Sequence, residues 1–506
     1  MLAAVRSATL LGVQGSPLTV EVHVTHNGLP AFHVVGLPDE SCRESRDRIR
    51  AALLSSNLQW PNRRVTVNLA GPSQRKGGSG MDLAIAVALL AANNDLPSES
   101  IADLGFIGEL GLDGTVRRVP GVAPMVAAMG DVRPVVPMDG YLEASAATKQ
   151  DVRVVSTLTE LVMALRGDAP WPDPQIDSAA ADPPPLPDLA DVRGQAMARL
   201  ALEVAAAGGH HLLFVGPPGS GKTMLAQRLP GLLPRLDTTT SLEATMVYSA
   251  IGATLPPTGL IVMPPLCAPH HSSSMVSLVG GGTANLRPGQ ISLAHGGVLF
   301  LDELGEFSPR VLDALRQPLE EGVIRVARAR QHATLPARFL LVAATNPCPC
   351  GGGPPGSCEC DDGARLRYLR RLSGPLLDRF DLRVGVDRPD VDEFLDGRGG
   401  EPTAVVARRV ATARRRALAQ RGLLNSAIPA AHIDEVVLLS DDAQRLLRTE
   451  LERDRLTGRG YHRIRRVART IADLDDDSPD IVGLGHVALA MQLRVHLGVS
   501  RPARVA

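Results

Sequence analysis

Residues 211–223 read His-Leu-Leu-Phe-Val-Gly-Pro-Pro-Gly-Ser-Gly-Lys-Thr, and 224–229 continue Met-Leu-Ala-Gln-Arg-Leu. An apolar run that fits a buried strand passes straight into a glycine-rich turn and then into helix-forming residues. In that order the spacing Gly-x-x-x-x-Gly-Lys-Thr has a mechanical meaning. Glycines let successive backbone N–H groups turn toward one point, and the helix N-terminus behind them adds partial positive charge, so the loop suits phosphate oxygens. The spacing predicts that Gly216, Pro217, Pro218, Gly219, Ser220, Gly221, Lys222 and Thr223 cradle ATP. Lys222 would reach the β- and γ-phosphates, and Thr223 would offer its hydroxyl to Mg²⁺.

Two further strands follow. Gly297-Val-Leu-Phe-Leu301 ends in Asp302 and Glu303, where a carboxylate at a strand's C-terminal edge suits a second Mg²⁺ ligand (Asp302) and its neighbour a general base (Glu303). Phe339–Thr345 ends in Asn346, an amide placed to orient the attacking water. Strands alternating with helices across 188–385 predict a parallel α/β sheet.

Around this unit the chain divides. The 506 residues are 44% hydrophobic and 21% charged, enough for packed cores over about three domains. Gly167–Pro187 is dense in proline, so 167–187 reads as an extended linker. Residues 1–166 alternate strand-like stretches (Leu18–Thr25, Arg64–Leu69, Val152–Val155) with helical ones (Cys42–Ser55, Met81–Ala92), an α+β pattern. Residues 386–506 form the last unit, helical over Ala404–Gln420, Asp441–Arg453, Tyr461–Leu474 and Gly485–Leu497. A net charge of −1 argues against a globally electrostatic nucleic-acid binder but allows a local basic channel. Aromatics at 3% disfavour recognition by many stacked bases. The longest apolar run, Leu83–Ala92, is too short to cross a bilayer, and Met1–Gly15 lacks a signal-peptide layout. With four of six cysteines crowded into 348–360, the expectation is a soluble cytoplasmic protein.

Taken together, Gly216–Thr223, Ile291–Leu304, Ala344–Gly351 and Ser373–Leu382 resemble the Mg-chelatase-like AAA+ ATPases, and most of all the YifB/ComM group, which includes a hexameric DNA branch-migration helicase. The resemblance implies an N-terminal Lon/S5-like domain, an AAA+ P-loop core and an α-helical lid. It implies that Asn346 is sensor 1, that Arg379 in Leu-Leu-Asp-Arg-Phe-Asp is an arginine finger supplied to a neighbour's ATP, and that Arg459 is sensor 2, with Arg463 as second choice. Gln195 resembles the segment that packs near the adenine. A finger acting in trans requires an oligomer, a homohexameric ring by resemblance, with DNA as partner. In the same terms 269–283 is an insert that projects into the ring pore, and Arg325, Arg328 and Arg330 lie on an adjacent hairpin that suits phosphate contacts. Gln290 departs from the Glu that relatives usually carry there.

Cys348, Cys350, Cys358 and Cys360 give C-x-C-x₇-C-x-C, a candidate structural Zn²⁺ site able to present Arg365, Arg367, Arg370 and Arg371 to a partner. His270 and His271 lack a third ligand at helical spacing and are rejected as a metal pair. Arg408, Arg409, Arg414, Arg415, Arg416 and Arg421 share one helical stretch, read as a solvated face before a nucleic-acid surface. Ser79, after Lys76, matches the nucleophile position of Lon-type domains, but that fold draws its base from a lysine about forty residues on. No lysine lies between Lys76 and Lys149, so the domain reads as a proteolytically inactive binding or assembly module. The expected activity is a ring-forming, Mg²⁺-dependent ATPase that translocates on DNA, for branch migration or strand separation. The alternative is a chelatase-type protein-remodelling motor, against which stand the cysteine loop and the N-terminal domain.

Overall fold

The computed structural model describes residues 1–25, 29–72, 78–175, 186–282, 286–328, 331–352, 358–372, 374–388 and 399–495. Lys76, residues 176–185 of the proline linker and Arg330 lie outside them, as do the side chains of Arg328, Arg370 and Arg371.

The N-terminal unit is built on a seven-stranded sheet of β1 (Leu2–Leu11), β2 (Gln14–Val24), β3 (Ala31–Val35), β4 (Arg64–Ala70), β5 (Leu104–Phe106), β6 (Arg133–Pro137) and β7 (Arg153–Val155), in the order β3-β4-β2-β1-β5-β6-β7. Its inner residues Val5, Val20, Val22, Val65, Val67 and Leu69 are buried against helices α1 (Glu40–Ser55) and α2 (Asp82–Ala92). Every residue of α2 is buried, including Asp82, so its continuous apolar run is a core helix. One element has no counterpart among the strand-like stretches of the sequence, and it is β1. It is a long strand inside the sheet, paired antiparallel with β2 and parallel with β5.

The central unit holds a five-stranded parallel sheet of β8 (Leu212–Val215), β9 (Leu266–Cys267), β10 (Val298–Leu301), β11 (Leu340–Thr345) and β12 (Leu382–Gly385), ordered β9-β10-β11-β8-β12. All four pairings are parallel, which explains why β8, β10 and β11 read as unbroken apolar runs buried along their whole length. Helices α4 (Ala196–Gly208), α5 (Lys222–Leu232) and α6 (Thr238–Ala250) belong to this unit, and α3 (Val122–Ala128) of the N-terminal unit packs on α6.

The two units are docked by polar and apolar contacts. Glu143, only 2% exposed, accepts from Arg118 Nε at 2.6 Å and from the Ser249 hydroxyl of α6. Gly121 N–H donates to Ser249 O at 2.8 Å. The β1–β2 turn also reaches the core: a Cβ on Gly12 would stand 3.3 Å from the side chains of Leu286 and Leu335.

The C-terminal helices α7 (Thr403–Arg421), α8 (Asp441–Glu452), α9 (Gly458–Leu474) and α10 (Leu484–Gln492) share one hydrophobic cluster with α4 and the core sheet, through Val406, Val410, Ile464 and Val467. Two expectations need correction here. The last helix stops at Gln492 rather than Leu497, and the chain then pairs with β12: Arg383 N–H donates to Leu493 O and Val495 N–H to Arg383 O. The open edge of β12 offers backbone groups that a continued helix would leave unpaired. The arginines of α7 are also not simply a solvated face. Arg409 forks onto Glu203, Arg414 donates to Ala206 O, and Arg416 and Arg421 are tied to the Asp473–Asp476 turn. Burial pushes Arg414 down to about 10. These guanidiniums clamp the helices to the core, and only Arg408 and Arg415 are left exposed on the outside.

Candidate nucleotide site

β8 delivers its C-terminal end into the glycine loop, whose backbone requires glycine. Gly219 and Gly221 take φ of 76° and 90°, and a Cβ on Gly216 would fall 2.0 Å from Val386 O. Gly221 caps α5, so the loop's amides and the helix N-terminus converge. Lys222 is 8% exposed, and its Nζ donates to Gly216 O (2.7 Å), Pro217 O (2.8 Å) and Asn346 Oδ1 (3.3 Å). Burial draws this ammonium down from its ordinary value, while Asp302 and Glu303 oppose the shift. The sensor amide expected at the end of β11 is therefore in direct contact with the expected phosphate-binding lysine.

Thr223 Oγ1 donates to Asp302 Oδ2 at 2.6 Å, which joins α5 to the end of β10. A hydroxyl and a carboxylate oxygen in contact are a donor set for a hard octahedral cation such as Mg²⁺. The Ser220 hydroxyl is buried in the same loop with no hydrogen-bond partner among the described residues. An orphaned donor among glycine amides fits an anion with several oxygens, so the residues present suit a Mg²⁺–polyphosphate. Gln195 sits beside the loop in a left-handed conformation (φ 54°), and its amide donates to Asp387 O and to Ser220 O (3.5 Å).

Glu303 follows Asp302 with φ 51° and ψ 49°, a conformation costly for a residue with a side chain. Its N–H donates to Asp302 Oδ1 at 2.9 Å, and its carboxylate meets His271 Nδ1 at 3.1 Å. In sequence His271 stands out only as half of a rejected metal pair, and no local pattern links it to Glu303.

The arginines assigned to the same chemistry stand elsewhere. Because β12 runs parallel to β8 with Leu212 opposite Leu382, the segment Asp378–Asp381 lies where β8 begins, whereas the glycine loop leaves where β8 ends. Three strand rises, about 10 Å, separate the two edges. At the far edge Arg379 pairs with Glu320, Arg459 Nη1 lies 3.5 Å from Asp378, and Arg463 lies 3.3 Å from Asp381 and 3.9 Å from Asp378. Burial lowers the Arg379 guanidinium from its ordinary value, as do the charges of Arg463, Arg459 and Arg316. Arg463 is 13% exposed and occupied with two carboxylates, whereas Arg459 is 77% exposed. Burial opposes ionisation of Asp381, yet the His210 hydrogen bond at 2.9 Å holds it below the ordinary carboxylate range.

The cysteine loop leaves β11 just past Asn346. The four Sγ atoms lie within 4.8 Å of one another, with Cys348–Cys350 at 3.4 Å and Cys350–Cys358 at 3.5 Å. A tetrahedral Zn²⁺ with bonds of about 2.3 Å needs S···S separations near 3.8 Å, so the set fits that ion. Gly352 N–H, then the Cys360 and Cys348 thiols, draw Cys350 down to about 6. The loop rests on the phosphate bed: a Cβ on Gly351 would stand 2.5 Å from Pro218 Cδ.

In the N-terminal unit Ser79 donates to Glu109, which gives it an acid partner. Among the described residues no helix is long and apolar enough to cross a membrane. Arg325, on the hairpin Val323–Arg328/Gln331–Pro336, is an exposed residue paired with Glu321.

Comparison with known proteins agrees across the chain. Residues 188–394 match the family described as magnesium chelatase, subunit ChlI; 20–138 match subunit ChlI of Mg-chelatase; and 400–494 match the C-terminal region of that subunit. The match over 20–138 removes the N-terminal domain as an argument against a chelatase-type reading. The chain is 47% identical over 496 residues to an uncharacterized Mycobacterium tuberculosis protein, covering 96% of this chain and 97% of the relative. It is 40% identical over 500 residues to the uncharacterized protein YifB of Escherichia coli, with 97% of each chain covered. It is 42% identical over 486 residues to the competence protein ComM of Haemophilus influenzae, with 94% of each covered. With matches of this length across all three units, the chain belongs to the YifB/ComM family of Mg-chelatase-like AAA+ proteins.

Proposed function

We propose that this protein is a Mg²⁺-dependent ATPase that assembles as a ring, a hexamer, and moves along DNA to migrate branches or separate strands in recombination. The observation that carries the ATPase reading is the Thr223–Asp302 contact at 2.6 Å beside the buried, unpartnered Ser220 hydroxyl and Lys222. Lys222 and the loop amides bind the phosphates. Thr223 and Asp302 would hold Mg²⁺, which would supply positive charge to offset that of the phosphates. Glu303 accepts a proton from water as the water oxygen attacks the γ-phosphorus. Asn346 orients that water. The bridging P–O bond breaks, ADP leaves with the electron pair, and inorganic phosphate is released.

The ring reading is supported by the placement of Arg379 and Arg459 at the edge opposite the phosphate bed. Positive charge gathered there fits a neighbour's γ-phosphate better than the protomer's own. DNA as the track is supported by the kinship with a competence protein and by the arginine-bearing hairpin near the insert. We place one structural Zn²⁺ on Cys348, Cys350, Cys358 and Cys360, where it would brace the end of β11 against Pro218, and the protein in the reducing cytoplasm. Metal analysis of the purified protein is expected to give one zinc per chain, lost in Cys358→Ser.

The experiment that tests the whole reading is ATP hydrolysis with and without single-stranded and branched DNA, with Lys222→Ala as blank. Several-fold stimulation absent from the blank is the expected result. Hydrolysis indifferent to DNA but raised by a protein partner would replace this reading with the chelatase-type remodelling motor, which the family descriptions favour.

A further inference from the structure

We infer that Tyr368 is a positioning residue for ATP hydrolysis. Packed behind the nucleotide site, it sets the separation between the Asn346 end of β11 and the turn that follows Glu303. This rests on the reading of Asn346 and Glu303 as the pair that handles the attacking water, and it names a residue on which both depend.

The sheet itself leaves that separation open. β10 and β11 pair in parallel with Leu301 opposite Ala343 as the last rung, and the ladder ends there. Glu303 lies two residues past that rung and Asn346 three. Beyond it β11 is tied on its other side, where Val215 stands opposite Thr345 and Gly216 N–H donates to Thr345 O at 3.2 Å. On the β10 side the backbone turns left-handed at Glu303 and leaves as Leu304–Glu306.

Tyr368 fills this gap. It comes from the helix Asp362–Arg371, which starts directly after Cys360 and Asp361, and Asp361 caps it by accepting from Ala364 N–H at 2.6 Å. Tyr368 is 5% exposed. Its hydroxyl lies 3.0 Å from Thr345 Oγ1. Its ring covers Gly305 so closely that a Cβ there would stand 2.6 Å from Cε2, Cζ and the hydroxyl oxygen. Thr345 Oγ1 donates onward to Asn346 O at 3.3 Å. A hydroxyl has one proton to give, so the phenol is the donor to Thr345. Burial raises the phenol from its ordinary value, which keeps that proton in place. One side chain thus meets both strand ends, its polar tip on β11 and its ring on the turn behind Glu303.

The consequence is geometric. Tyr368 controls whether the Asn346 amide and the Glu303 carboxylate meet on one water, and a misplacement of about 1 Å at such a pair costs about 10² in rate. Phosphate binding rests on residues 216–223 instead, so the loss falls on kcat rather than on ATP affinity.

The test measures steady-state ATP hydrolysis and equilibrium nucleotide binding for Tyr368→Phe, Thr345→Val and the double variant, with ring assembly as folding control. The first keeps the ring and removes the donor, and the second keeps the shape of Thr345 and removes the acceptor. Each is expected to lower kcat about tenfold with KM for ATP within about twofold. The double variant is expected to be no slower than either alone, because all three lack the same bond. Tyr368→Leu, which also uncovers Gly305, is expected to lose about 10² in kcat. Wild-type kcat in Tyr368→Phe, a change confined to KM, or a double variant as slow as the product of the single losses overturns the inference. Glu303→Gln and Asn346→Ala keep the two levels apart. Normal hydrolysis by either overturns the reading of the water-handling pair, whereas loss in both beside a normal Tyr368→Phe removes only the role given to Tyr368.

Discussion

Two glycine-rich stretches in this chain each run into a helix, yet the polar groups around them are treated oppositely. In the central unit the loop 216–221 leaves the Ser220 hydroxyl without a partner and sets Lys222, Thr223, Asp302 and Asn346 around one point. In the N-terminal unit the polar groups of Gly78, Ser79 and Asp82 at the start of α2 are paired. Asp82 is fully buried and receives Ser45, the Arg48 fork and Leu110 N–H, Cys42 N–H and Gly78 N–H are taken by Asp39, and Ser79 donates to Glu109. A buried polar group that is satisfied stabilises a fold, and one left open asks for a ligand. The contrast supports assigning chemistry to the first loop and assembly to the second.

That contrast is sharpened by substitutions of decreasing effect. Arg379→Ala is expected to lower ATP turnover by about 10³–10⁵ while rings still assemble, measured by steady-state hydrolysis and light scattering. Glu303→Gln is expected to lose about 10²–10⁴ in turnover with ATP affinity retained, which equilibrium nucleotide binding would confirm. Asp82→Ala leaves the Arg48 guanidinium facing a buried gap and is expected to cost about 3–5 kcal/mol in denaturant unfolding of the N-terminal unit. Ser79→Ala removes one hydrogen bond, worth about 1 kcal/mol, and is expected to leave ATP turnover unchanged. A large loss of turnover from Ser79→Ala would break the comparison.

Much of the nucleotide site was legible because its causes are local. A glycine loop between strand and helix, and carboxylates or an amide at strand ends, are fixed by neighbours in sequence, and the structure brings Lys222, Thr223, Asp302, Glu303 and Asn346 together at these strand ends. What the local pattern does not show depends on distant pairing. The register of β12 against β8 puts Arg379 and Arg459 at the edge away from the loop, and no local pattern encodes that register. The same holds for β1, which has turn residues on one side only, and for the end of α10, where a sheet edge competes with the helix. The arginines of α7 looked alike in sequence. Only contacts with Glu203, Ala206 and Asp473, far along the chain, separate the clamping ones from the exposed ones. His271 was weighed as a metal ligand and dismissed, and its pairing with Glu303 arises across two strands.

As proposed above, the phosphate bed of one protomer and the arginine edge of its neighbour together make one active site. Mixing Arg379→Ala with Lys222→Ala subunits tests it directly. In mixed rings some interfaces join an intact bed from the first variant to an intact Arg379 from the second, so ATP hydrolysis should partly recover although each variant alone is inactive. No recovery in rings shown to contain both subunits would contradict the shared site.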